Sequence, residues 1–208
     1  MHSAHIEPAA SGDLAAKFWT SPVSPAAADS FAARNLYELF VHDLAGLVSG
    51  ACQANHAAHS LYDRLPADQI GLRRLALGLA KSTRACLPRL PVVLLDEGLV
   101  LPATQNATVR ALLSTIHLGA GGNDFKSWSV VGTRLVGVIH KVALHLEAQS
   151  VDAAENARLL GSDPLRETLS NWAAVWTEYI AELRTREPAF RAQAYAAGVI
   201  NRPCWQTA

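Results

Sequence analysis

Charge of one sign is missing from this chain: Lys+Arg and Asp+Glu number 18 each in 208 residues, leaving no formal net charge. A balanced chain has no long-range field to gather nucleic-acid phosphates or an anionic membrane. Its densest basic group, Arg73, Arg74, Lys81 and Arg84, is too sparse to make such a field locally. Cysteine is scarce as well. Cys52, Cys86 and Cys204 are odd in number and far apart, which excludes a disulfide framework and the paired spacings of a zinc site. No apolar run reaches the length of a membrane span, and the start, MHSAHIEPAASGDLAAKF, has neither the basic residues nor the apolar stretch of a secretory signal. These absences place the chain, as an expectation, in the cytoplasm with reduced thiols, bound to neither nucleic acid nor membrane.

What the chain does have is helix-forming apolar residues. Hydrophobic residues make up 50% of it and charged ones 17%, with much of the apolar share in alanine and leucine, the best apolar helix formers. A chain of this length buries a substantial core as one domain without staples. The strongest pattern is FAARNLYELFVHDLAGLVSGACQANHAAHSLYD, residues 31–63. On a helical wheel Leu36, Phe40, Leu44, Leu47, Val48, Ala51, Ala58 and Tyr62 fall within an arc of roughly 150°, the width of a core-facing stripe. Glu38, His42 and His56 gather on the opposite face, with His59 at the stripe's edge. Gly46 and Gly50 read as a notch that lets another element approach closely.

In chain order, residues 1–22 form a tail whose apolar anchors are Leu14, Phe18 and Trp19, and residues 23–208 a single all-α domain. Ser24-Pro25 starts the first helix and Leu65-Pro66 ends it. A second helix over 67–87, carrying Ile70, Leu75, Leu77, Leu79 and Cys86, follows so short a turn that it must run antiparallel to the first. PVVLLDEGLVLP, residues 91–102, is β-like in composition and predicts either a small hairpin or a buried loop. A third helix runs from 103 or 106 to 118. GAGGND, residues 119–124, follows a helix and lacks a P-loop lysine, so it reads as a helix terminator and cap, not a phosphate cradle. The periodicity then predicts helices over 125–149, 151–160, 164–187 and, beyond Pro188, 189–197. The expected fold is a bundle of six or seven helices built on the N-terminal hairpin.

Candidate chemistry begins with eight histidines. Glu38 with His42, and His56 with His59, have spacings that put ligands on one side of a helix, but His42 and His56 are about 21 Å apart along a straight helix. His140 and His145 differ by roughly 140° in helical phase and diverge. A metal site is therefore not expected. Cys52 is placed in a helix interior near the buried side, where thiols are inert. Trp128, Trp172 and Trp176 fall on core stripes.

Residues 40–48, FVHDLAGLV, resemble the phosphoacceptor segment of histidine kinases and histidine phosphotransferases, in which an apolar pair precedes a His-Asp or His-Glu step on the first helix of a hairpin. The resemblance implies that His42 carries a phosphoryl group, that Asp43 orients or deprotonates its ring, and that the hairpin dimerises. It covers under a third of the chain. Leu47 stands where the family commonly has proline and no ATP-binding box follows, so phosphotransfer without autokinase activity is what is implied.

With no catalytic set in the sequence, the leading expectation is a non-catalytic helical protein that binds a protein partner in a regulatory or adaptor role and takes no cofactor. One alternative is the phosphotransfer module with His42 and Asp43, possible as a homodimer. The other is a helical enzyme or a metal- or haem-binding bundle with a pocket between helices, for which His117, beside GAGGND, and His145, at the edge of an apolar stripe, are the candidates.

Overall fold

Helix is the one kind of regular element among the residues described by the computed structural model, 31–116 and 125–196. Six helices are present there: α1, Phe31–Arg64; α2, Ile70–Cys86; α3, Leu90–Asp96; α4, Ala107–Ser114; α5, Phe125–Leu159; and α6, Asp163–Ala196. The four longer ones close on themselves as a bundle, α1 against α2 and α5, and α6 against α2 and α5. Their facing stripes supply the core: Phe40, Leu44, Leu47, Ala51, Ala54, Ala58 and Leu61 of α1 recur at three- and four-residue steps and are buried. Leu165, Leu169, Trp172, Trp176, Tyr179 and Leu183 of α6 answer them. The most extensive packing is between α5 and α6, not within the first pair.

Polar contacts fix how the helices sit on one another. The Tyr179 hydroxyl donates to the Leu75 carbonyl at 3.0 Å, tying α6 to α2 inside the core. Thr83 Oγ1 donates to Asn55 Oδ1 at 3.0 Å, and Arg73 lies 4.1 Å over the Tyr62 ring, two contacts that join α2 to α1. Three residues, Leu160 to Ser162, reverse the chain between α5 and α6. Gly161, at φ 78°, donates to the Arg158 carbonyl and Ser162 donates to that of Ala157, the paired bonds that close a helix through a left-handed residue. Ser162 then caps α6, its Oγ accepting from the Leu165 amide at 3.4 Å.

Of the notch expected at Gly46 and Gly50, the Gly46 side is open and the Gly50 side is a close approach, filled by Asn106. This buried side chain caps α4, accepting from the Val109 amide at 3.0 Å, and donates from Nδ2 to the Gly46 carbonyl at 3.1 Å and to Gln149 Oε1 at 2.8 Å. One carboxamide thus joins α1, α4 and α5, with both donors and its acceptor used. A Cβ on Gly50 would lie 2.8 Å from Asn106 Nδ2 and 3.0 Å from Leu146 Cδ2, whereas one on Gly46 would meet nothing within 4 Å.

Several sequence expectations are corrected. Residues 91–102 form no hairpin, and only 97–102, with Leu99 buried, are the expected loop: Leu90, Val93 and Leu94 recur at a helical period and turn inward, Pro91 suits the first turn, and α3 results. No break falls between 149 and 151, because the buried Ser150 satisfies its hydroxyl on the Leu146 carbonyl at 2.7 Å and leaves the backbone ladder intact. Nor does Pro188 end α6. An interior proline costs about 3 kcal/mol, and Phe190 offsets it by packing on the core so closely that Cβ atoms at Gly71 and Gly132 would lie 3.5 and 3.1 Å from its ring. Ile70 and Leu77, expected in the second helix's stripe, are exposed, as is Cys52. The α2 stripe keeps the expected Leu75, Leu79 and Cys86 and is completed by Leu72, Ala76 and Thr83. The third helix, expected to reach Leu118, ends at Ser114, where the Thr115 and Ile116 amides donate to the Leu112 and Leu113 carbonyls. The expectations for the tail 1–22, the start at Ser24-Pro25, GAGGND, Trp19, Cys204 and Trp205 lie outside the described residues.

Gly46→Ala and Gly50→Ala are expected to change stability in opposite directions. The first removes a glycine from a helix interior at an open position and should stabilise by about 0.5–1 kcal/mol. The second drives a methyl group into Asn106 and Leu146 and should destabilise by roughly 1–3 kcal/mol. Urea unfolding followed by circular dichroism measures both, and equal effects of the same sign would contradict the notch.

Candidate interaction surface

The segment between α2 and α4 is built to hold a few apolar side chains in water. Leu90, which is buried, opens α3. At its other end Gly98 takes φ 66°, its amide donating to the Leu95 carbonyl while that of Leu99 donates to the Leu94 carbonyl at 2.7 Å, and Leu99 is buried in turn. Asn106 then pins the chain at α1 and α5. Between these three anchors Val92 is 60%, Leu95 80% and Val100 79% exposed. Exposed apolar residues are ordinary when scattered, but three on one short anchored segment form an apolar ledge. Fully burying such a side chain is worth about 1.5–3 kcal/mol, which the folded chain forgoes here. Asp96 and Glu97, between Leu95 and Val100, put acidic residues within the ledge, and Arg89 precedes it.

The histidines do not converge. His42 is exposed on α1, and its Nδ1 lies 3.9 Å from Asp43 Oδ1, beyond hydrogen-bond reach. His56 is exposed, as its place on the wheel required. His59 accepts at Nε2 from Arg84 at 3.1 Å, since a guanidinium can only donate. His140 and His145 each enclose an Nε2 with no hydrogen-bond partner. Burial lowers the His145 pKa below its ordinary value, so its ring is neutral near pH 7. His117 lies outside the described residues. Among those residues no group of three His, Cys, Asp or Glu side chains is arranged to hold a metal ion.

Two cavities among the described residues show what the interior can accept. One, of about 40 Å³, lies between α5 and the turn that follows α4, against Ile116, Val131, Arg134 and Val138. The other, of about 300 Å³, is an open groove between α5 and α6 beside Val151 and Ala173. Neither is lined by a histidine. Cys52 and Cys86 are free thiols of opposite character: Cys52 is exposed, while burial pushes the Cys86 thiol up to about 12 and makes it inert. No described helix is long and apolar enough to cross a membrane. Sequence reasoning missed the ledge because a β-like composition hid the helical spacing of Leu90, Val93 and Leu94. The signal available was the set of apolar residues left over once that spacing is drawn.

His145 gives a pH test with a fixed sign. Its pKa is lower in the folded chain than the ordinary value near 6.5. Above that value both states are neutral there and the residue contributes no slope; below it the unfolded chain takes up a proton that the folded chain does not, so stability falls as pH falls. The urea midpoint of wild type is expected to drop between about pH 7.5 and about pH 5.5, and to drop less in His145→Gln. An NMR titration placing the His145 pKa at or above about 6.5 would contradict the burial. Compared with known protein families, characterised proteins and solved structures, the chain has no match.

Proposed function

We propose that the chain is a cytoplasmic bundle of six or seven helices that acts without catalysis, by binding a protein partner in a regulatory or adaptor role. The observation that carries this is the ledge, three apolar side chains 60–80% exposed on a segment anchored at Leu90, Leu99 and Asn106. An anchored segment binds without first being ordered, which spares the partner that entropy. The partner the ledge fits is an apolar segment that carries a basic side chain to meet Asp96 and Glu97.

Leu95→Asp with Val100→Asp tests it. Both positions are exposed, so the unfolding midpoint should hold, while removal of two apolar contacts weakens partner binding by roughly a hundredfold. In affinity capture from the native cell, wild type should enrich a protein that the variant loses, and that protein, purified, should bind wild type alone. Enrichment unaffected by the substitutions would count against the ledge.

Phosphotransfer is the second reading, favoured by the exposure of the His42 ring on a helix packed against α2. Labelled phosphate from phosphorylated receiver domains of the same cell should then pass to wild type and not to His42→Ala. Equal labelling of both, or of neither across the panel, ends this reading.

A further inference from the structure

Along the outer side of α5, Lys141, Leu144, Ala148, Val151 and Glu155 are all exposed and follow one another at steps of three, four, three and four. That alternation holds one seam of a helix towards a partner helix. Two of its members are large and apolar, Leu144 at 38% and Val151 at 52% exposure. The ends carry opposite charge, and Lys141 and Glu155 each stand seven residues, about 10 Å, from Ala148. Beside the seam lies the groove of about 300 Å³ between α5 and α6, floored by Ala154 and Ala173 and closed at one end by Arg158 and Arg166.

The placement of charge selects the occupant. If two such seams meet antiparallel about a two-fold axis through Ala148, each Lys141 faces the Glu155 of the other copy and each Leu144 meets the other's Val151 at the mouth of the groove. A parallel meeting would set lysine on lysine and glutamate on glutamate. We propose that this face is covered by a second copy of the chain, α5 on α5 and antiparallel, with Leu144 of each protomer seated in the groove beside Val151 of its partner. The Glu155 carboxylate is already bonded by Arg158 within its own helix, at 2.9 and 2.6 Å. Each oxygen keeps a second lone pair for the incoming ammonium group. Such an interface is isologous, so one set of residues supplies both knob and groove and the assembly closes at two. None of these residues belongs to the ledge of α3, so the dimer stands or falls independently of the proposed partner.

Sedimentation equilibrium on the full chain at high micromolar concentration tests it. Wild type should sediment at twice its 22.2 kDa, and Leu144→Glu with Val151→Glu at 22.2 kDa, with an unchanged circular dichroism spectrum. Lys141→Glu should weaken the dimer about tenfold, and Lys141→Glu combined with Glu155→Lys should restore it. This charge exchange lies wholly on exposed positions and decides the question even if the double glutamate variant fails to fold. A wild type that stays monomeric, a dimer indifferent to both pairs of substitutions, or a charge exchange that does not rescue would each overturn the proposal.

Discussion

Asn106 is the constraint on which the arrangement of this molecule depends. Its carboxamide has two donors and one acceptor committed to three helices, in a place where any of them left unmade would cost about 1–3 kcal/mol. Apolar packing alone is tolerant of small shifts, since a leucine loses little by sliding along its neighbour. A buried amide is not tolerant, and it fixes α4 against α1 and α5 at one register. Gly50 is the complement of that register, because only a residue without a side chain leaves room for the amide.

The same anchor explains how apolar residues are kept outside. Residues 90–106 would otherwise be a connection free to fold its valines and leucines inward. Because Leu90 and Leu99 take the inward places and Asn106 holds the far end, Val92, Leu95 and Val100 have no interior position within reach. Exposure here follows from geometry imposed elsewhere. On α5 the cause is different: a 35-residue helix presents more than one face, and once its inner face is spent on α6 and α1 the seam through Leu144 and Val151 is left over.

Much of this was legible in the sequence. The stripes of α1, α5 and α6 announce their buried faces because periodicity over many turns outweighs local composition, and the exposure of His42 and His56 follows from the same wheel. Ends and breaks were harder to read. Pro188 and Ser150 look like stops when read locally, yet Phe190 packing against the core and a hydroxyl turned onto its own helix carry α6 and α5 through them. Ile70 and Leu77 were mistaken for core since α2 is short and its stripe is set by contacts with Tyr179 and Asn55 that lie more than twenty residues away. Asn106 could be seen as a helix cap, but nothing local marks its reach to Gly46 and Gln149.

The three-residue reversal at Gly161 has a consequence for the entropy the chain gives up when it folds. It joins the two most extensively packed helices, so their association closes a very small loop and needs no distant encounter. The bonds of Asn106, by contrast, span 60 and 43 residues, and the entropy of bringing those segments together must be met before the bonds form. The α5–α6 contact is therefore closed at little loop entropy, and the amide at Asn106 at considerably more, so the latch is the more sensitive of the two to how freely the unfolded chain moves.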